Sequence, residues 1–298
     1  MEKTRYDELE DRLDDCLEGK DDISTFLVEL RQLEANNDKD AIAVLADCHL
    51  LLNDDEDKQK GLELLNKAIS LGSAEAAYRL GRIYFRNKYG IPQDEKKSFE
   101  AFKKGTELGD VRCCGFLSEF YYHSFGTEED NDKAFHYAAI AAQTGNLRGI
   151  KTLALCYAHG FGTTQDIMAA IYWFKEFLKE EPDDDEALLD VAKLLANPFH
   201  TYDYKPSNEM LKEAFYYISK LTAIRYDDPS LDSFLKKSIA EANMIAGWFY
   251  EQGEVVPQDF KKAHDCLEIA AKGGIEVAKN RLKDYRKNIF GVYIAPRM

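Results

Sequence analysis

Apolar residues recur along the chain at offsets that suit helix hairpins. In "AEAAYRLGRIYF" (Ala74–Phe85) a small–x–small triplet leads to Leu80-Gly81, and Tyr84 follows. "VRCCGFLSEFYY" (Val111–Tyr122) repeats this with Leu117-Ser118 and Tyr121, and "LRGIKTLALCYA" (Leu147–Ala158) with Leu153-Ala154 and Tyr157. Looser copies supply Leu45-Ala46 with His49, Val191-Ala192 with Leu195, and Ala246-Gly247 with Tyr250. The large apolar position falls at 45, 80, 117, 153, 191 and 246, in steps of 35, 37, 36, 38 and 55. A period in the mid-thirties predicts a repeat architecture.

A second half follows each first half. One small residue marks it after a loop: Gly61, Ser98, Ala134, Ala170, Ala214 and Ala263. Apolar residues then recur at helical spacing, as in "KAFHYAAIAAQTG". Gly72, Gly109, Gly145 and Gly273 are placed to cap four of these helices, and Glu181-Pro182 replaces the glycine in the fourth. "IPQD", "TTQD" and "VPQD" end three of the inter-helix loops, with Asp94, Asp166 and Asp259 each four residues before the small contact residue. Those aspartates are expected to cap the helix that follows, and Pro92 and Pro257 to keep the approach extended.

Small residues where two helices cross let their axes come within about 8–10 Å. One hairpin cannot bury its apolar face alone, but stacked hairpins share a core. With a small-x-small-x-x-Leu-Gly-x-x-Tyr first helix, a loop ending in Gln-Asp, and a Lys-Ala…Ala-Ala-x-x-Gly second helix, the chain resembles the Sel1-like repeat family, relatives of the tetratricopeptide repeat. The resemblance covers about residues 40–274. It is strong in the units beginning at 74, 111, 147 and 241, and weak in the first and fifth. It implies an all-α, right-handed superhelical solenoid of about six hairpins with helical caps. It also implies a scaffold that binds other proteins without catalysis of its own.

The expected layout is an acidic helical cap over 1–39, an array over 40–274 with units starting near 40, 74, 111, 147, 184 and 240, and a capping helix and tail over 275–298. The long fifth step places an irregular stretch over 198–232, either a tolerated insertion or a functional one.

By analogy with tetratricopeptide hairpins, the first helices line a concave groove. The positions flanking the large apolar residue then bring Tyr78, Arg82, Phe85 and Arg86, then Arg112, Glu119, Tyr122 and His123, then Arg148, Lys151 and His159 to one surface, with Trp248 on the groove side of the last unit. Trp173 is expected in the core. The five groove cations suit an acidic or C-terminal carboxylate peptide, since a guanidinium binds a carboxylate bidentately. They could equally pair with Glu75, Glu119 and neighbouring acids of the same surface.

Charge bounds the partner. There are 54 acidic and 39 basic residues, a formal net charge of −15. That sign disfavours global binding to nucleic acid or anionic membrane. It leaves a second function class open, an acidic inhibitor or immunity-type protein that neutralises a basic enzyme. The N-terminus shows no secretory pattern, and no run is apolar enough to span a membrane. Six unpatterned cysteines read as free thiols of a reducing cytoplasm. No metalloprotease, nucleophile-elbow or phosphate-loop motif occurs, so no catalytic residue, cofactor or metal ligand is expected. His123 and His159, with Cys113 and Cys156, are the nearest approach to a metal set, and the cysteines sit at core-facing positions.

Overall fold

The computed structural model describes residues 3–52, 54–198, 201–287 and 291–294. The chain forms two compact units, Met1–Gln165 and Asp166–Met298. The first holds α1 (Arg5–Leu17), α2 (Ile23–Ala35), α3 (Lys39–Leu52), α4 (Asp55–Ser70), α5 (Ala74–Arg86), α6 (Glu95–Glu107), α7 (Arg112–His123), α8 (Asn131–Gln143) and α9 (Leu147–His159). The second holds α10 (Ile167–Glu180), α11 (Asp185–Ala196), α12 (Asn208–Thr222), α13 (Ser233–Gln252), α14 (Phe260–Lys272) and α15 (Glu276–Leu282), then β1 (Arg286–Lys287) and β2 (Tyr293–Ile294). All-α hairpins are therefore the building principle of both.

Within the first unit α3 packs on α4, α5 on α6 and α7 on α8, and first helices also touch one another (α1 with α3, α3 with α5, α7 with α9). In the second, α11 pairs with α12 and α13 with α14. The repeat positions explain the pairing. Leu45, Leu80, Leu117, Leu153, Val191 and Ala246 are all buried, as are all six small markers of the second helices. The crossings are tight: a Cβ on Gly81 would sit 2.6 Å from the Phe102 ring, and one on Gly149 2.4 Å from Ala141 Cβ. The Ser98 hydroxyl donates across a crossing to the Gly81 carbonyl at 2.8 Å.

The joints repeat as closely as the crossings. Asp94, Asp130, Asp166 and Asp259 share one backbone conformation, φ −146 to −140° and ψ 93 to 97°, and each accepts from the backbone of the helix it starts. Three of them also reach back through their own N–H groups to the preceding first helix: Asp94 to the Tyr84 carbonyl at 3.0 Å, Asp130 to Tyr121 at 3.3 Å and Asp259 to Tyr250 at 3.0 Å. The glutamine before the aspartate adds another tie, since Gln165 and Gln258 donate to the carbonyls of Ala158 and Glu251, each at 2.8 Å. Gln-Asp thus stitches one helix end to the next helix start. At the other end of the second helices, Gly72, Gly109 and Gly145 adopt positive φ, and paired backbone bonds close the turn. In the last unit the helix runs one residue further. Gly274, not Gly273, takes the left-handed position, with φ 89° against −74°.

Two regions depart from expectation. The C-terminal helix stops at Leu282; Arg286–Lys287 then pair antiparallel with Tyr293–Ile294. Residues 288–290 and 295–298, part of the expected helix end and tail, lie outside the described residues. The long fifth step has three sources: an eleven-residue loop before α12, a ten-residue link after it, and an α13 of 20 residues. The loop is built around Asn197, 2% exposed, whose amide donates to the carbonyls of Tyr202 and Tyr204 and accepts from the Tyr202 N–H.

Candidate functional site

The sequence-predicted groove residues of the three middle units all lie in the first unit, on α5, α7 and α9. The repeat register explains why. Tyr78 and Phe116 sit near the start and middle of α5 and α7, and the rings meet edge-on at 6.0 Å. Phe85, two turns later on α5, meets the Phe116 ring at 5.7 Å. These rings, Phe116 buried and Tyr78 and Phe85 half-buried, form an aromatic floor on which guanidinium groups lie. Arg112 sits 4.1 Å and Arg82 5.5 Å from the centroid of the Tyr78 ring; Arg148 sits 4.3 Å from that of Phe116 and 5.4 Å from that of Phe85.

Electrostatics divide these cations into two kinds. Arg112 is held by both oxygens of Asp110 and by Glu75, and those hydrogen bonds raise its pKa above the ordinary arginine value against its burial. Arg148 is held by Glu119. Both are neutralised within the surface. Arg82 and Arg86, one helical turn apart on α5, make no ion pair with any described residue. Arg86 is exposed and Arg82 half-buried. Lys151 is half-buried and has a partner of its own. The basic face predicted from five cations therefore narrows to a pair of available guanidinium groups beside Tyr78 and Phe85.

A second aromatic strip runs along the ends of α7 and α9. His123 stacks on Phe125 at 5.2 Å, His159 lies against Phe161 at 5.4 Å, and Tyr122 meets Phe161 at 5.7 Å. Burial holds the His159 imidazole below its ordinary pKa. Each histidine thus belongs to an aromatic turn. Cys113 and Cys156 are fully buried. Burial also raises both thiols, Cys156 to about 12. Trp248 belongs to the other unit, half-buried and edge-on to Phe249 at 4.9 Å. Trp173 is half-buried beside Tyr172, not fully in the core.

The most connected residue of this face was missed by the sequence reading. Arg79 lies between Glu75 at 3.0 Å and Asp47 at 2.9 Å, also bonds Glu10, and stacks on Tyr6 at 4.6 Å. Tyr6 donates to Asp47 at 2.9 Å. Burial pushes the Asp47 carboxyl up, opposed by the Arg79 charge and the Tyr6 hydroxyl. Arg79 precedes the large apolar Leu80, where helical geometry turns it toward the preceding first helix. An aspartate two residues after the matching Leu45 was the available clue.

Residues 40–73, 74–110, 111–146, 153–177 and 240–275 match the family model of the Sel1 repeat, together more than half of the chain. The unit between 177 and 240, with the long loop and link, lies outside the matched residues. Two similar solved structures are a protective antigen present in uropathogenic Escherichia coli strains displaying an SLR fold and a Sel1 repeat protein from Oxalobacter formigenes. The first is 18% identical, with a TM-score of 0.53 over 86% of this chain and 66% of that one. The second is 17% identical, with a TM-score of 0.55 over 90% of this chain and 97% of that one. This chain thus spans just under two thirds of the antigen's length. At these identities the likeness is one of fold. No curated protein matches the chain.

Proposed function

The chain belongs to the Sel1 repeat family, and from that premise we propose that it is a non-catalytic scaffold that binds an acidic, extended segment of a partner protein along the first-helix face of α5, α7 and α9. Sel1 repeat proteins generally act as protein–protein interaction scaffolds. The observation that carries the finer reading is the pair Arg82 and Arg86. On a chain of net charge −15, two guanidinium groups one turn apart lack an ion-pair partner among the described residues. Arg82 sits 5.5 Å from the half-buried Tyr78 ring, and Arg86 is exposed one turn further along the same helix. Guanidinium forks would take side-chain or C-terminal carboxylates, and the rings would take apolar side chains between them.

Selection of a peptide-display library on the protein tests this. The wild type should enrich peptides with two or more acidic residues, and R82E/R86E should enrich none of them. Enrichment of the same peptides by the folded double variant would overturn the proposal.

A further inference from the structure

The side chains His264, Asp265 and Glu268 of α14 form the one cluster of three or more metal-ligating groups among the described residues, with their ligand atoms all within 4.8 Å of one another. The spacing follows from the helix, because residues four apart share a face and the next residue's carboxylate can swing toward it. His264 Nδ1 lies 3.9 Å from Asp265 Oδ1 and 4.0 Å from Glu268 Oε1. That nitrogen is shielded from solvent and has no hydrogen-bond partner among the described residues, an unusual state for a buried polar atom. It faces two carboxylate oxygens that are too far away to accept from it. Triangle sides of 3.9, 4.0 and at most 4.8 Å put an equidistant point about 2.5 Å from each atom. Metal–ligand distances to imidazole nitrogen and carboxylate oxygen are about 2.0–2.2 Å. A rotation of a few tenths of an ångström in the exposed carboxylates closes that difference.

The imidazole is already held in place. It stacks on Tyr293 of β2 at 4.3 Å and meets Tyr285 at 5.4 Å, and the Tyr285 hydroxyl donates to Glu251 at 2.6 Å. Ring orientation is what a metal-binding histidine needs from its surroundings. Among the described residues the one competitor is Lys261, which bonds the other oxygen of Asp265 at 2.7 Å. Both of those side chains are about half or more exposed, and such pairs are weak.

We propose that His264, Asp265 and Glu268 form a surface site for a first-row divalent cation of the zinc type, with water completing the coordination. One imidazole with two carboxylates suits such ions, whereas magnesium and calcium take oxygen ligands alone. The site lies in the second unit and does not depend on the peptide-binding reading.

Calorimetric titration of the full chain with Zn2+, with Mg2+ as control, tests the proposal. One Zn2+ should bind, Mg2+ should not, and D265N and E268Q should each weaken Zn2+ binding at least about tenfold. Both replaced side chains are exposed, so these variants keep the fold, and all six cysteines remain. No binding of Zn2+ to the wild type, or affinity unchanged in both variants and therefore carried by other groups such as the thiols, would overturn it.

Discussion

At the residue scale, positions that must adopt one backbone conformation show how the repeat works. First helices end on a left-handed residue at Asn87, Ser124, Gly160, Asn197 and Gly253. Glycine is free there, asparagine tolerates it, and serine is strained by about 1 kcal/mol. Ser124→Gly should therefore stabilise the protein by up to about 1 kcal/mol, read as a raised urea midpoint with the slope unchanged. The capping aspartates give a second expectation. The Lys97 backbone N–H holds the Asp94 carboxyl below the ordinary carboxylate range. A group depressed in the folded state contributes stability above its unfolded pKa, about 3.9, and loses it as pH falls through the folded value. An Asp94→Asn variant keeps an accepting oxygen that does not titrate. The wild type should lose stability relative to it as pH drops below about 4, in paired unfolding curves. Asp94, Asp166 and Asp259 were legible from the repeated Gln-Asp phrase. Asp130 was not, because "EED" replaces that phrase while the backbone keeps the same turn.

At the element scale, hairpins were legible because small and large apolar residues alternate at fixed offsets, and each such offset is a helix crossing. What could not be read was the attachment of α1 to the repeats. It depends on Tyr6, Glu10, Asp47 and Arg79, polar residues from three helices whose pairing crosses up to 69 positions in sequence. Nothing periodic marks such a network. Removing its cation leaves a carboxylate buried with only a hydroxyl beside it. Arg79→Ala should cost about 3 kcal/mol in urea unfolding. A paired apolar replacement, D47L/R79M, should cost much less, since the uncompensated charge is then gone. The C-terminal helix ends at Leu282, earlier than expected, for a related reason. "RLKDYRKNI" has helical composition, but Tyr285 bonds Glu251 and packs against His264, and the chain turns there into a short strand pair.

At the scale of the whole molecule, the acidic excess and the basic first-helix face are complementary facts. Within the first-helix face Arg112 and Arg148 are paired with neighbouring acids, which leaves Arg82 and Arg86 as its available guanidinium groups. The five cations lie on α5, α7 and α9, but the sequence could not rank them, because rank depends on Glu75, Asp110 and Glu119 reaching them from other turns and helices. Binding as proposed rests on Arg82 and Arg86, with Arg112 and Arg148 mainly holding the face together. The most direct measurement is the affinity of one display-selected acidic peptide for the wild type, R82E/R86E and R112Q/R148Q, each checked for folding by circular dichroism. R82E/R86E should lose at least about tenfold in affinity, and wild-type binding should weaken as salt rises. R112Q/R148Q should keep near-wild-type affinity with lowered stability. A folded R82E/R86E that binds as the wild type does, or a loss confined to R112Q/R148Q, would contradict the proposal.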